Sequence, residues 1–95
     1  MLRKQLNKEM LVSAQNSLGH CYKHGIGVEK DAKKAVKLYE KAVEQESTSA
    51  QYNLGLCYED GIGVEKDVKM AVELYKKAAE RGNVYARAKL KVIKI

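Results

Sequence analysis

The heptapeptide Gly-Ile-Gly-Val-Glu-Lys-Asp occurs twice in this chain, at residues 25–31 and 61–67. The recurrence is part of a larger one. Shifting the chain by 36 residues makes 21 of 36 positions identical between 14–49 and 50–85. A fixed period of this length means one supersecondary unit stacked on copies of itself. The flanks keep the phase: Leu2 and Leu6 stand where Leu38 and Ala42 do, and Ala86 and Leu90 continue Ala50 and Leu54. The expected single domain, 1–95, therefore has a partial repeat or capping helix at 1–12. Repeats follow at 13–48 and 49–84, and a C-terminal capping helix at 85–95.

Within each repeat the apolar spacing is helical. Ala14, Leu18, Cys21 and Tyr22 follow i, i+4, i+7, i+8, as do Ala50, Leu54, Cys57 and Tyr58. Ala35, Leu38, Tyr39 and Ala42 follow i, i+3, i+4, i+7. Each set is one apolar stripe of an amphipathic helix, and no useful length alternates with period two. The spacing predicts an A helix over 13–24 and 48–60 and a B helix over 31–45 and 67–81 in each repeat. Neither helix can bury its stripe alone, so the pairs must stack. Gly19 and Gly55 fall inside the A helices, where glycine costs about 1 kcal/mol against alanine. A close approach to helix B, beside the small Ala42 and Ala78, would offset that cost.

The two glycines of the heptapeptide could cradle a phosphate or punctuate a fold. Phosphate loops follow a strand and open a helix. Here a helix precedes, and neither G-x-G-x-x-G nor G-x-x-x-x-G-K-[ST] is present. The structural reading accounts for every position. Gly25 and Gly61 suit the left-handed residue that ends a helix. Ile26 and Ile62 fold back onto its last turn, Val28 and Val64 plug the space between helices, and Asp31 and Asp67 cap helix B.

The full pattern A-x-x-x-L-G-x-x-Y-x-x-G-x-G-V-x-x-D-x-x-x-A-x-x-x-Y-x-x-A resembles the Sel-one-like repeat (SLR), a relative of the tetratricopeptide repeat. Ala14, Leu18, Gly19, Tyr22, Gly25, Gly27, Val28, Asp31, Ala35, Tyr39 and Ala42 carry it, and so do the residues 36 further on. The resemblance implies an all-α, right-handed α/α superhelix of antiparallel helix pairs that binds other proteins. It departs at Glu46, where the family has the glycine kept here as Gly82. Secreted cysteine-rich relatives pair cysteines within each repeat, whereas this chain has one per repeat.

Other chemistries find little support. Cys21 and Cys57 share a phase on stacked helices, about 10 Å apart, too far for a disulfide, and two buried thiols fit a reducing, cytoplasmic setting. His20 and His24 lie one helical turn apart, a spacing compatible with one metal ion, with Asp60 as a further ligand. Repeat two carries Leu56 and Asp60 instead, so a surface pair is the plainer reading and no metal or other cofactor is expected. Ser13, Ser17, Ser47 and Ser49 have no positioned base, and no enzymatic activity is expected. The charge of +6 favours acidic partners. The basic end with Arg87, Lys89, Lys91 and Lys94 lacks an interleaved stacking aromatic, so nucleic acid is not an expected partner. With charges throughout residues 1–12 no signal peptide is expected there, and no apolar run approaches a membrane span.

One face of helix A remains. It carries Ser13, Asn16, Ser17, His20, Lys23 and His24 in repeat one, and Ser49, Tyr52, Asn53, Leu56, Glu59 and Asp60 in repeat two. Five of these six pairs differ while the core phases match. By resemblance this face lines the concave groove. Asn16, His20, Lys23, Tyr52, Leu56, Glu59, Tyr85 and Val92 are the expected docking residues for a protein or peptide. The alternative for Tyr52 and Leu56 is simple contact with a neighbouring helix. A second reading of the whole chain is a structural piece that self-associates through open solenoid ends.

Overall fold

In the computed structural model, residues 2–93 are described, with side chains from residue 8 onward. They form five helices: α1 (Leu2–His24), α2 (Ala32–Glu44), α3 (Thr48–Asp60), α4 (Val68–Glu80) and α5 (Val84–Val92). No strand occurs among the described residues. Each helix packs on the next in chain order. The smallest dimension of the molecule is 17 Å, the thickness of two helix layers whose axes lie about 8–10 Å apart. The A helices α1, α3 and α5 form one layer and the B helices α2 and α4 the other, an α/α solenoid.

The heptapeptide works as a helix stop, a reversal and a helix start. Gly25 and Gly61 adopt φ +69°. Ile26 N–H then donates to Cys21 O, and Ile62 N–H to Cys57 O, each at 2.9 Å. This 6→1 closure satisfies a carbonyl that the helix end leaves free. Asp31 accepts from Lys34 N–H and Asp67 from Met70 N–H, both at 3.1 Å. The B helices accordingly start one residue after the predicted caps. Ile62 and Val64 pack against the core cluster shared by the two repeats, whereas Ile26 is 53% exposed rather than folded back. The plug role holds for the second loop, which has a preceding repeat to lie on.

The second junction uses other residues for the same task. Ser47 caps α3 through Ala50 N–H at 3.1 Å, and Asn83 caps α5 through Ala86 N–H at 2.9 Å. The residue before each cap is left-handed: Gly82 at φ +94° and Glu46 at φ +65°. Glu46 thus takes the glycine's conformation, and Arg81 Nη1 donates to its carbonyl at 3.3 Å.

The mid-helix glycines do permit a close approach, but the residue they admit is an aromatic ring rather than Ala42 or Ala78. A Cβ on Gly19 would lie 2.7 Å from Cε1 of Tyr39, and one on Gly55 2.5 Å from Cε1 of Tyr75. Both rings are fully buried. Tyr39 joins Ala35, Val36, Leu54, Cys57 and Leu74 in one core cluster, and Tyr75 joins Ala71, Ala78, Ala79 and Ala86 in the next.

The first helix differs from expectation. Residues 2–24 form one unbroken helix, with no boundary near residue 12. The physical reason lies at two positions. The phases of Gly82 and Asn83, the left-handed residue and the cap, are occupied by Met10 and Leu11. Leucine has no oxygen to cap a helix and methionine resists a positive φ, so the helix runs through. The match of Leu2 and Leu6 to helix B concerns side chains outside the described residues, as does Lys94.

Candidate interaction face

The A-helix face is built by side chains that link successive A helices. Asn53 Nδ2 on α3 donates to Asn16 Oδ1 on α1 at 2.9 Å. Between α3 and α5, Lys89 Nζ lies 3.2 Å from Glu59 Oε2, and Tyr75 Oη donates to Glu59 Oε1 at 2.7 Å. Glu59 therefore receives a hydroxyl from the B layer and a cation from the next A helix. Burial first, then the Glu59 bond and charge, push the Tyr75 hydroxyl far above its ordinary pKa.

Tyr52 stands between two other tyrosines, 5.8 Å from the Tyr75 ring and 5.9 Å from Tyr85, both tilted. Such offset geometry is the favourable one for aromatic pairs. Tyr52 and Leu56 lie against the second core cluster, so each does contact neighbouring helices, yet both keep part of their surface in solvent. Tyr85 is 69% exposed and Val92 68%. A hollow of about 370 Å³ opens beside Tyr52 and Tyr85, edged by Ser49, Asn53 and Asn83. A second, of similar size, has Glu59, Lys89 and Val92 on its wall. The structure thus groups Tyr52 with Tyr85, Asn16 with Asn53, and Glu59 with Lys89 and Val92.

His20 and His24 are exposed, with ring centroids 4.4 Å apart. Desolvation and then the charges of His20, Lys23 and Lys30 lower the His24 pKa. Among the described residues no three His, Cys, Asp or Glu side chains converge, so Asp60 does not complete a metal site with them. Both cysteines are free; burial raises the Cys57 thiol pKa, and Cys21 is half-buried. No helix among the described residues is long and apolar enough to cross a membrane.

Three features escaped the sequence reading. Tyr75 and Lys89 turn Glu59 into an internal partner; comparing phases Lys23/Glu59 and Asn53/Lys89 would have hinted at it. Asn53 ties the face together. The third is the outer flank of α1, where Met10, Leu11 and Leu18 are 68%, 55% and 43% exposed.

The comparisons agree with this geometry. The Sel1 repeat family profile matches residues 12–47 and 48–83. The chain belongs to the Sel1 repeat family. A Sel1 repeat protein from Oxalobacter formigenes is 47% identical over 82% of this chain, with a TM-score of 0.80. The protective antigen c5321 of uropathogenic Escherichia coli, described as displaying an SLR fold, is 41% identical over 92% with a TM-score of 0.81. Cysteine-rich protein B of Helicobacter pylori is 32% identical over 81% with a TM-score of 0.75. The chain spans 32%, 19% and 58% of these three solved chains, respectively. Among curated proteins none matches significantly. Sel1 repeat proteins are in general protein-interaction modules and not an enzyme family.

Proposed function

We propose that the A-helix face docks a protein or peptide, and that this is the chain's function. The observation that carries the reading is the contrast between two sets of positions. Core phases repeat with one exception, Val43 against Ala79, while this face changes at five of six positions and still forms one connected surface. Val92 is apolar at 68% exposure, and Tyr85 keeps 69% of its surface in solvent beyond its contact with Tyr52. Aromatic side chains beside a hollow are typical binding hot spots. The free thiols support a reducing, cytoplasmic setting. The test is affinity capture with the wild-type chain and a Tyr85→Ser/Val92→Ser variant, whose exposed positions leave the fold intact. The variant is expected to lose partners; identical partner sets would refute the assignment.

A second reading is favoured by one specific observation, the exposed Met10, Leu11 and Leu18 on α1. These give the solenoid an open end that could self-associate. Sedimentation equilibrium decides: a monomer at every concentration refutes it, and a dimer broken by Leu11→Glu supports it.

A further inference from the structure

We propose that the outer flank of α1 pairs with α1 of a second copy of this chain, antiparallel and about a two-fold axis. This deepens the self-association reading and rests on it.

The flank carries Leu11, Ala14, Leu18 and Cys21 in steps of 3, 4 and 3, the seam spacing of paired helices. Leu11, Ala14 and Leu18 are exposed and Cys21 is half-buried. On α3 the phases of the last three are Ala50, Leu54 and Cys57, at 0%, 5% and 0% exposure. Leu54 and Cys57 lie there in one cluster with Val36 and Tyr39 of α2. These phases are made to lie against a helix, and none among the described residues covers them on α1. Residues 2–9 do not fold over them, because α1 is unbroken from Leu2 and carries those residues along its own axis.

Three observations select α1 of a second copy as the occupant. Among the described residues both ends of the solenoid are A helices, α1 and α5. Head-to-tail stacking of two copies would need a B helix between them, and neither end presents one. The far end is also cationic. Gln15 and Gly19, which meet Gln45 and Tyr39, correspond on α5 to the exposed Arg87 and Lys91. Lys91 fills the glycine position that admits a tyrosine ring, and two such surfaces repel each other. The α1 flank, by contrast, matches itself in reverse. Leu11 and Cys21 lie five residues to either side of position 16, and Ala14 and Leu18 two. An antiparallel pair therefore sets Leu11 against Cys21 of the second copy, and Ala14 against its Leu18. Each contact joins a large side chain to a small one, as a filled seam needs. A two-fold interface demands this self-complementarity. No charge falls within the stripe, and Ser13 and Ser17 border it as a polar rim.

The test begins with sedimentation equilibrium of the full chain, expected to show monomer and dimer and no larger species. Leu18→Glu puts two carboxylates into one apolar seam and should weaken the dimer at least about a hundredfold. Val84→Glu, a similar change at an exposed position of α5, should alter it less than about twofold. Circular dichroism checks that both variants stay helical. The register is read independently with Leu11→Cys under air oxidation. Positions 11 and 21 of one chain are ~15 Å apart along the helix, too far to bridge. The expected product is a disulfide dimer, mapped by mass spectrometry to position 11 of one copy and Cys21 of the other, with no bridge in the wild type. The proposal is overturned if the assembly grows beyond a dimer, if Val84→Glu weakens it as much as Leu18→Glu, or if position 11 does not bridge to Cys21. In each of these cases self-association stands and the two-fold α1 pairing falls. A monomer at every concentration overturns both.

Discussion

The A helices of the two repeats carry the same apolar residues and bury them differently. Ala50 and Leu54 on α3 are 0% and 5% exposed. Ala14 and Leu18, their counterparts on α1, are exposed, Leu18 at 43%. The residues are identical; the neighbour is not. Helix α2 covers α3 from the N-terminal side, and nothing among the described residues covers α1 in that way. In a solenoid, burial belongs to the pair of adjacent repeats rather than to the residue. Stability effects should therefore depend on which copy is changed.

The largest expected difference is at the leucines. Leu54→Ala should destabilise by about 3 kcal/mol, as truncation in a filled core does, whereas Leu18→Ala should stay within about 0.5 kcal/mol. Chemical denaturation of both variants checks this, and equal losses would break the comparison. Next come the glycines. Gly55→Ala drives a Cβ to 2.5 Å from a Tyr75 ring whose hydroxyl is tied to Glu59. It should cost about 1–3 kcal/mol despite alanine's better helix propensity. Gly19→Ala should cost less, because Tyr39 has no hydrogen bond to hold it and its ring can yield. The smallest effect is at the junction. Glu46 sits at φ +65° where the second copy has glycine. Glu46→Gly should stabilise by about 0.5–1 kcal/mol, read as a higher Tm, by relieving left-handed backbone.

The same contrast explains what could be read from residues alone. Helix phases, glycine stops and aspartate caps are local, and the 36-residue period writes them twice, so α2, α3 and α4 fell within a residue of their predicted limits. The unbroken α1 turned on two residues, Met10 and Leu11, at phases where the other copies break. Cross-helix links were less legible. Asn16 with Asn53, and Glu59 with Tyr75 and Lys89, pair across 16 to 37 residues, and their meeting depends on how repeats stack. The mid-helix glycines signalled a close approach without naming the ring that makes it. Of the expected docking residues, Tyr85 and Val92 are as exposed as the reading needs, while Tyr52 and Leu56 divide their surface between core and solvent.

Position 23 carries the central claim, that the A-helix face differs between repeats for reasons other than packing. Burial pushes the Tyr39 hydroxyl pKa up to about 12, with Cys57 and Cys21 adding to it, and its buried oxygen has no hydrogen-bond partner among the described residues. If packing alone governed the face, lysine at 23 and glutamate at 59 would each be the better choice in place. Thermal melts of Lys23→Glu and Glu59→Lys test this directly. The account predicts opposite signs: a higher Tm for Lys23→Glu, whose carboxylate would accept from Tyr39 Oη, and a lower one for Glu59→Lys, which strands Tyr75 Oη. An unchanged or lower Tm for Lys23→Glu would contradict it.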